Sequence, residues 1–313
     1  MTAQPHIPWP DGKRFAFTIF DDTDHQTLEN VPPVYDFLAD LGLRTTKSVW
    51  PLNGSGQPAI GGLTAEHPDN LAWLKQLQAR GFEIALHNAT WETSRRADTL
   101  RGLDRFRELF GHEPVAFANH AGCREGLYWG DRRLSGWNRL GYNLLTLGRN
   151  RGRFQGHEQG SPLFWGDACR ERITFVRNFV FRDINTLAAC PSMPYHDPDR
   201  PYVRYWFAAS EGPDVGSFNK TLSEANQDRL SAAGGACIMY THLASGFYVD
   251  GKLNTRFSEL LERLAGAGGW FVPVSELLEF LLRRNGHYEI SATERKRLER
   301  RWLRDKLWIG GSS

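Results

Sequence analysis

Acidic residues and histidines follow several apolar segments of this 313-residue chain. The first apolar segment, "FAFTIF", continues directly into "DDTDH" at residues 21–25. The second predicted strand ends in Lys47, Ser48 and Trp50, and later ones end in the pairs His87–Asn88, Asn119–His120 and Thr241–His242. Asp and His are suitable ligands for zinc, cobalt, manganese or iron, and hydrolytic metal sites keep an open position for water. The pattern indicates a hydrolytic metal site.

A divalent metal at such a site would polarise a carbonyl group and lower the pKa of a bound water. A second carboxylate beside the metal ligand could act as general base, and a histidine across the site could protonate the leaving group. Each segment taken singly has a simpler explanation, since Asp-rich turns and solvated histidines are common at strand ends. The occurrence of acids and histidines after several strands favours a common site.

The first half of the chain alternates predicted strands with predicted helices. Apolar and β-branched runs predict the strands, and apolar stripes bounded by Pro, Asn and Gly predict the helices between them. The predicted strands are "FAFTIF", "LRTTKSVW", "FEIALH", "PVAFANH", "YNLLTLG", "GACIMYTHLASGF" and "GWFVPV". Repeated strand–helix units predict an α/β fold with a parallel sheet, and their number favours a barrel that the last strand closes. In such sheets ligands bind at the carboxyl ends of the strands, where the acids and histidines fall.

Two regions depart from the strand–helix alternation. Residues 151–228, which include the Pro-rich run "CPSMPYHDPDRPYVRYWF", predict an irregular insertion within a domain of residues 1–290. Residues 291–313 predict a basic amphipathic C-terminal helix that opens with a capping box from Ser291 to Glu294. We expect this helix to pack its Trp302 face on its own domain with the cations in water. The alternative is a helix that lies on a membrane surface or contacts a partner.

The composition is that of an ordinary globular protein, with 41% apolar and 24% charged residues. The net charge of +2 gives no reason to expect nucleic acid as a partner. No apolar run approaches the roughly 20 residues of a membrane-spanning helix, and the N-terminal residues lack the pattern of a secretory signal. Four scattered cysteines show neither metal-ligand spacing nor a disulfide framework. We therefore expect reduced, mostly buried thiols and a cytoplasmic protein.

These residues resemble the motifs of the polysaccharide deacetylase family, also called NodB-like or carbohydrate esterase family four. The family's first motif, a strand ending in T-F-D-D, is similar to "TIFDDTD", and its motif L-x-H is similar to "YTH". The motif H-[ST]-x-x-H corresponds to "HNATW", in which Trp91 stands in place of the second histidine. The motif R-x-P-x-G corresponds by position to "ANHAG", which lacks the Arg and the Pro. The resemblance covers most of the chain in order and spacing.

The resemblance implies a distorted (β/α) barrel that removes acetyl groups from N-acetylated sugars with a divalent metal, for which zinc is the first expectation. It implies that Asp21 is the general base and that His242 is the general acid. It also implies that Asp22 and His87 bind the metal. His120 is the first candidate for the missing histidine ligand, and His25 is the other.

We therefore expect a hydrolase that cleaves an amide C–N bond, with an N-acylated sugar or a related small molecule as substrate. The predicted substrate contacts are Trp50, Asn119, Tyr128, Trp129 and Arg204. The aromatic members could stack on sugar rings, or they are core or rim residues. Two alternatives stay open: a non-catalytic barrel that binds a glycan or a partner of a polysaccharide pathway, and a metal-free amidohydrolase of the same fold. The sequence indicates no oligomeric state.

Overall fold

A parallel sheet forms the centre of the protein. The computed structural model describes residues 7–56, 58 and 60–309, with side chains as far as Leu307. The strands among these residues are β1 Phe15–Asp21, β2 Thr46–Val49, β3 Glu83–Leu86, β4 Ala116–Phe117, β5 Phe175–Phe181, β6 Tyr205–Glu211, β7 Ala236–Thr241, β8 Tyr248–Val249, β9 Lys252–Leu253 and β10 Gly269–Phe271. Strands β1 to β7 follow one another in chain order, and β7 pairs with β1 along residues 16–21. The sheet therefore closes into a barrel.

Helices surround this barrel and connect its strands. They are α1 Pro32–Asp40, α2 Pro68–Ala79, α3 Arg96–Phe110, α4 Gly136–Leu145, α5 Gly166–Arg172, α6 Thr186–Ala189, α7 Val215–Thr221, α8 Glu224–Ala232, α9 Thr255–Ala265, α10 Val274–Asn285 and α11 Ala292–Ile309. Helices on the outside of parallel strands cover the apolar face that the strands cannot bury among themselves. The α/β class and the distorted (β/α) barrel are confirmed.

The closure of the barrel differs from the prediction. Strand β10 pairs with residues 15–17 at the start of β1, whereas β2 pairs with Phe20 and Asp21 at its end. Strand β10 therefore lies beside the first half of β1, on the same edge as β2. Strand β7 pairs along most of the opposite edge of β1 and closes the barrel. The carboxyl end of β1 thus lies between the carboxyl ends of β2 and β7.

The prediction of an irregular insertion at residues 151–228 is wrong. This segment contains β5 and β6, two of the barrel strands. The strand β5 reads "FVRNFVF", and its central Arg177 and Asn178 are both buried. Polar residues inside a buried strand interrupt the apolar pattern on which strand prediction depends, and for this reason the strand was not recognised.

The predicted strand "YNLLTLG" is also wrong, because residues 142–145 continue α4. No residue of α4 is buried. An apolar run normally indicates burial, so a helix that exposes its leucines gives the same local pattern as a short buried strand.

The C-terminal helix α11 packs on the barrel with its Trp302 face, as the first interpretation predicts. Trp302 is buried and its ring lies 6.0 Å from the ring of Phe179 on β5 and 5.8 Å from that of Tyr142 on α4. The capping box is present, since the amide of Glu294 donates to Ser291 Oγ and the amide of Ser291 donates to Glu294 Oε2.

All four cysteines are free and buried, as predicted. Across residues 7–56, 58 and 60–309, no helix is both long enough and apolar enough to cross a membrane.

We predict that Trp302→Ala lowers the free energy of unfolding by about 3–5 kcal/mol, because a large buried ring is lost and a cavity remains. Trp137→Ala is the matched control, since Trp137 on α4 is 86% exposed; its effect should stay within about 0.5 kcal/mol. Urea unfolding followed by circular dichroism measures both changes. Equal stability of the two variants would contradict the packing of α11.

Candidate metal centre

Three carboxylates are buried within four positions at the end of β1. Asp21 is the last residue of the strand, and Asp22 and Asp24 follow it in the turn. All three are less than one tenth exposed. A buried carboxylate requires compensation by charge or hydrogen bonds, and each of the three has different partners.

Asp21 pairs with Lys47 of β2. Its Oδ2 lies 3.0 Å from Lys47 Nζ and accepts a hydrogen bond from the Tyr35 hydroxyl, and its Oδ1 accepts from the amide of Leu243. Burial raises the pKa of Asp21, and the Lys47 charge and the Leu243 amide counteract this rise. Both oxygens are thus occupied by partners on β2, α1 and the β7 end. Asp21, which the resemblance implied as base, does not face the histidines.

Asp22 is held by Arg177 across the barrel mouth. Arg177 donates from Nη1 and Nη2 to the two carboxylate oxygens of Asp22, at 2.9 and 2.6 Å. Burial opposes ionisation, but the guanidinium charge outweighs it and lowers the pKa of Asp22. Asp22 Oδ2 lies 3.9 Å from His87 Nε2. The carboxylate of Asp22 is therefore ionised, fixed in orientation and adjacent to the histidines.

Asp24 lies between three imidazole rings. Its Oδ1 is 3.3 Å from His87 Nε2 and 3.7 Å from His120 Nε2, and its Oδ2 is 3.4 Å from His242 Nε2. Although burial opposes ionisation, His242 and His87 hold the pKa of Asp24 well below its usual range. Asp24, rather than the predicted ligand Asp22, is the carboxylate that faces both His87 and His120.

His87 and His120 both point Nε2 toward Asp24. His87 Nδ1 lies 2.9 Å from the carbonyl oxygen of Ala118, so Nδ1 carries a proton, and in the neutral ring Nε2 is the nitrogen with the lone pair. Burial and the neighbouring His87 lower the pKa of His120 to about 4, so this ring is neutral at pH 7. Neutral imidazole is the form of histidine that binds a metal.

The facing atoms of these three residues are unsatisfied. Asp24 Oδ1, His87 Nε2 and His120 Nε2 are buried and none makes a hydrogen bond with good geometry to the described residues. One ligand atom of each lies within 4.8 Å of the other two. Lone pairs directed at one another repel unless a cation lies between them. The trio Asp24–His87–His120 therefore fits a divalent metal, and its one oxygen and two nitrogen donors suit zinc.

His242 completes the group from the end of β7. Its Nδ1 lies 2.8 Å from the carbonyl oxygen of Pro213, and its Nε2 lies 3.3 Å from the Tyr240 hydroxyl. Burial disfavours the charged ring, but the hydrogen bond to Asp24 and the charges of Asp22 and Asp24 raise the pKa of His242 to about 9. Its side chain is 17% exposed, the largest exposure in the group.

A buried hydrogen-bond network fixes the loops that carry the histidines. Asn88, which directly follows His87, donates to Glu125 Oε1 and accepts from the amide of His120. Asn119 donates to the carbonyl of Leu127 and accepts from its amide. Asn88 thus links the ends of β3 and β4, and this link sets the distance between the two imidazoles.

Four of the other sequence-predicted residues do not face the site, one because it is exposed and three because they pack inside the protein. His25 is exposed, so it does not supply the third ligand. Trp50 is fully buried behind the histidines, with its ring 5.4 Å from that of His120. The Tyr128 ring lies 4.3 Å from that of His157, Trp129 packs under Arg133, and both rings are buried.

Two predicted substrate contacts are explained by loop and helix structure. Both hydrogen-bonding groups of the Asn119 side chain pair with the backbone of Leu127. Arg204 lies at the amino end of β6, the opposite end of the barrel, where it donates to the carbonyls of Arg170 and Glu171 at the end of α5. Arg204 therefore cannot contact a substrate at this centre.

The sequence contained signals for the residues that were missed. Asp24 belongs to the same "DDTD" run as Asp22, but strand alternation does not apply beyond the strand end. Arg177 stands out as a cation inside the apolar run "FVRNFVF". A buried cation within a strand requires a buried anion opposite, and this rule was the available clue to the Asp22–Arg177 pair.

Comparisons with known proteins show a likeness in structure only. No protein-family model matches the sequence, and no curated protein matches it. A solved structure from Mycobacterium smegmatis, named as a polysaccharide deacetylase, is 12% identical with a TM-score of 0.52 and covers 93% of this chain and 98% of its own. One from Pseudomonas aeruginosa PAO1, also named as a polysaccharide deacetylase, is 14% identical with a TM-score of 0.51, and Puue allantoinase is 14% identical with a TM-score of 0.50. The last two each cover 90% of this chain and 95% of their own.

The chain therefore has the same barrel fold as these three solved structures, at very low sequence identity. This result confirms, at the level of the fold, the resemblance drawn from the sequence motifs.

We predict that zinc stabilises the protein and that this stabilisation requires the trio Asp24–His87–His120. At free zinc about 100 times the dissociation constant, the gain should be about 2.7 kcal/mol. Asp24→Asn and His120→Ala should abolish it, and His25→Ala is the matched control that should retain it. Thermal unfolding with and without zinc, with chelator as reference, measures the gain. A full zinc shift in Asp24→Asn would show that the ion binds elsewhere.

Proposed function

We propose that the protein is a zinc-dependent hydrolase that cleaves the amide C–N bond of an N-acylated sugar, with N-deacetylation as the first expectation. The observation that carries the proposal is the set of unsatisfied buried atoms on Asp24, His87 and His120 beside two further titratable groups. The fold supports it, because two similar structures are named as polysaccharide deacetylases and one as an allantoinase, all enzymes of carbon–nitrogen bonds.

Asp24, His87 and His120 would hold the metal. When bound, the metal polarises the acyl carbonyl and lowers the pKa of water. The Nδ1 contact of His87 with the Ala118 carbonyl keeps that ring in the tautomer that presents Nε2. The network through Asn88 keeps His120 at its position relative to His87. These contacts preorganise the ligand atoms before any ion arrives.

Asp22 is the general base in this proposal. It accepts a proton as water attacks the acyl carbon. Arg177 occupies one lone pair on each oxygen of Asp22, and a carboxylate oxygen has two. One oxygen of Asp22 is 3.9 Å from His87 Nε2, so the base lies beside the ligands. The pair Asp22–Arg177 thereby places an arginine beside the base, although "ANHAG" lacks the Arg of the family motif.

His242 is the general acid, and it donates a proton from Nε2 to the departing amine as the C–N bond breaks. Its Nδ1 is held by the Pro213 carbonyl, so the ring presents Nε2 toward Asp24. His242 is also the most exposed member of the group, which suits a residue that meets the leaving group. The products are a carboxylate and a free amine.

The second candidate is a barrel that binds a ligand without catalysis. The observation that favours it is the enclosure of the centre, since the side chains of His87 and His120 are 1% and 2% exposed. Zinc binding without release of acid from any amide substrate would support this candidate over the hydrolase.

We predict that Asp22→Asn lowers kcat by about 10²–10⁴-fold, which is the usual contribution of a general base, while the zinc-dependent stabilisation persists. The assay is release of acetate or formate from a panel of N-acetylated and N-formylated amino sugars, with allantoin hydrolysis measured alongside. His25→Asn is the control and should turn over normally. Near-normal turnover by Asp22→Asn would remove Asp22 from the base role.

A further inference from the structure

Helix α4 exposes an apolar face that the fold leaves uncovered. We call it the apolar ridge, formed by Trp137 (86% exposed), Leu140 (48%), Leu144 (68%) and Leu145 (57%) of α4 and by Leu147 (82%) just after the helix. Residues 137, 140 and 144 are separated by three and four positions and lie on one side of the helix. Single exposed leucines are ordinary, but a contiguous patch of this kind marks an interaction surface.

A second group of residues lies beside the ridge and carries positive charge. We call it the basic rim, formed by the exposed residues Arg149, Arg151, Arg153, Arg297, Arg300 and Arg304. The salt bridges of α11 within the described chain are made by Arg295, Glu299, Arg301 and Lys306, and none of the six rim arginines forms one. Their charges are therefore available to a partner.

Contacts between α4 and α11 place the two groups side by side. Asn138 near the start of α4 donates to Glu299 of α11 at 2.8 Å, and the Tyr142 ring lies 5.8 Å from that of Trp302. The two helices therefore run in the same direction, and one side of each packs against the other helix. Leu307, 62% exposed, extends the apolar surface onto α11.

We infer that the apolar ridge and the basic rim dock the protein on an anionic lipid bilayer. Trp137 and the leucines enter the boundary between headgroups and acyl chains, and the arginines contact the lipid phosphates. An amphipathic helix with Trp and Leu on one side and basic residues beside it is suited to this position. The inference does not depend on the proposed function.

The shape and charge of the surface favour lipid over other occupants. In a two-fold contact between copies of this chain, both copies would bring the same excess of arginines to one interface, and like charges repel. Protein interfaces depend on anchors that fill pockets, whereas α4 protrudes with none of its residues buried. A bilayer accepts a protruding helix without a shaped pocket.

Cosedimentation of the full chain with phosphatidylcholine vesicles, with and without phosphatidylglycerol, tests the inference. We expect at least about tenfold stronger partitioning to the anionic vesicles, decreasing as salt is added. Leu144→Asp and the double variant Arg300→Glu/Arg304→Glu should each weaken it by about tenfold or more.

Matched controls use residues of similar exposure elsewhere. Val249→Asp replaces an apolar residue that is 55% exposed, and Arg101→Glu/Arg283→Glu makes the same charge change at side chains that are each 67% exposed. Both controls should partition like the wild type. Loss of partitioning in the controls as well, or none by the wild type, would overturn the inference. Sedimentation velocity tests the alternative that a second copy of the chain covers the ridge. Self-association that Leu144→Asp abolishes would assign the ridge to contacts between copies.

Discussion

The burial of three carboxylates at the end of β1 is the constraint on which the barrel mouth depends. An uncompensated buried carboxylate costs several kcal/mol, and Asp21, Asp22 and Asp24 are all inside the protein. Asp21 is compensated from β2 by Lys47, and Asp22 is compensated from β5 by Arg177. The two cations come from different strands of the sheet. Because closure of the barrel brings both strands near the end of β1, the strand order also makes it possible to bury these two acids.

Asp24 is compensated differently from the other two acids. Its neighbours are the imidazoles of His87, His120 and His242, and no Lys or Arg forms a salt bridge with it among the described residues. The Ala118 carbonyl holds a proton on the far nitrogen of His87, so the neutral ring presents its other nitrogen toward Asp24. Of the three carboxylates, Asp24 is therefore the one whose charge compensation a bound divalent cation would complete. Asp21 and Asp22 are each paired with a cation, so Asp24 is the one of these three carboxylates with an oxygen left to bind a metal.

The molecule combines buried polar residues at the barrel mouth with exposed apolar residues on α4. Both are exceptions to the rule that apolar residues lie inside, and exceptions of this kind are the informative ones. The first accounts for the candidate centre, and the second accounts for the proposed lipid surface. Helix α11 connects the two regions, since Trp302 packs on β5 while Arg300 and Arg304 face solvent.

Sequence reasoning recognised the barrel class and most of its strands, because apolar runs between helical stripes leave a clear periodicity. It failed at β5, where Arg177 and Asn178 interrupt the run, and at α4, where exposed leucines imitate a buried strand. Among the site residues it identified His87, His120 and His242 as members of one group, but it assigned the metal-binding carboxylate to Asp22. Each failure has the same origin, since a local pattern reports the kind of residue and not what that residue contacts.

The order of residues along the chain is enough to predict that acids and histidines gather at one end of a parallel barrel, because parallel strands bring their carboxyl ends to the same edge. The partner of each carboxylate depends on how the chain folds. Arg177 is 155 positions from Asp22 along the chain, and the turn after β1 directs Asp24, instead of Asp22, between the imidazoles. Such pairings depend on backbone direction beyond the strand end and on contacts between distant segments, and neither is encoded in residue spacing.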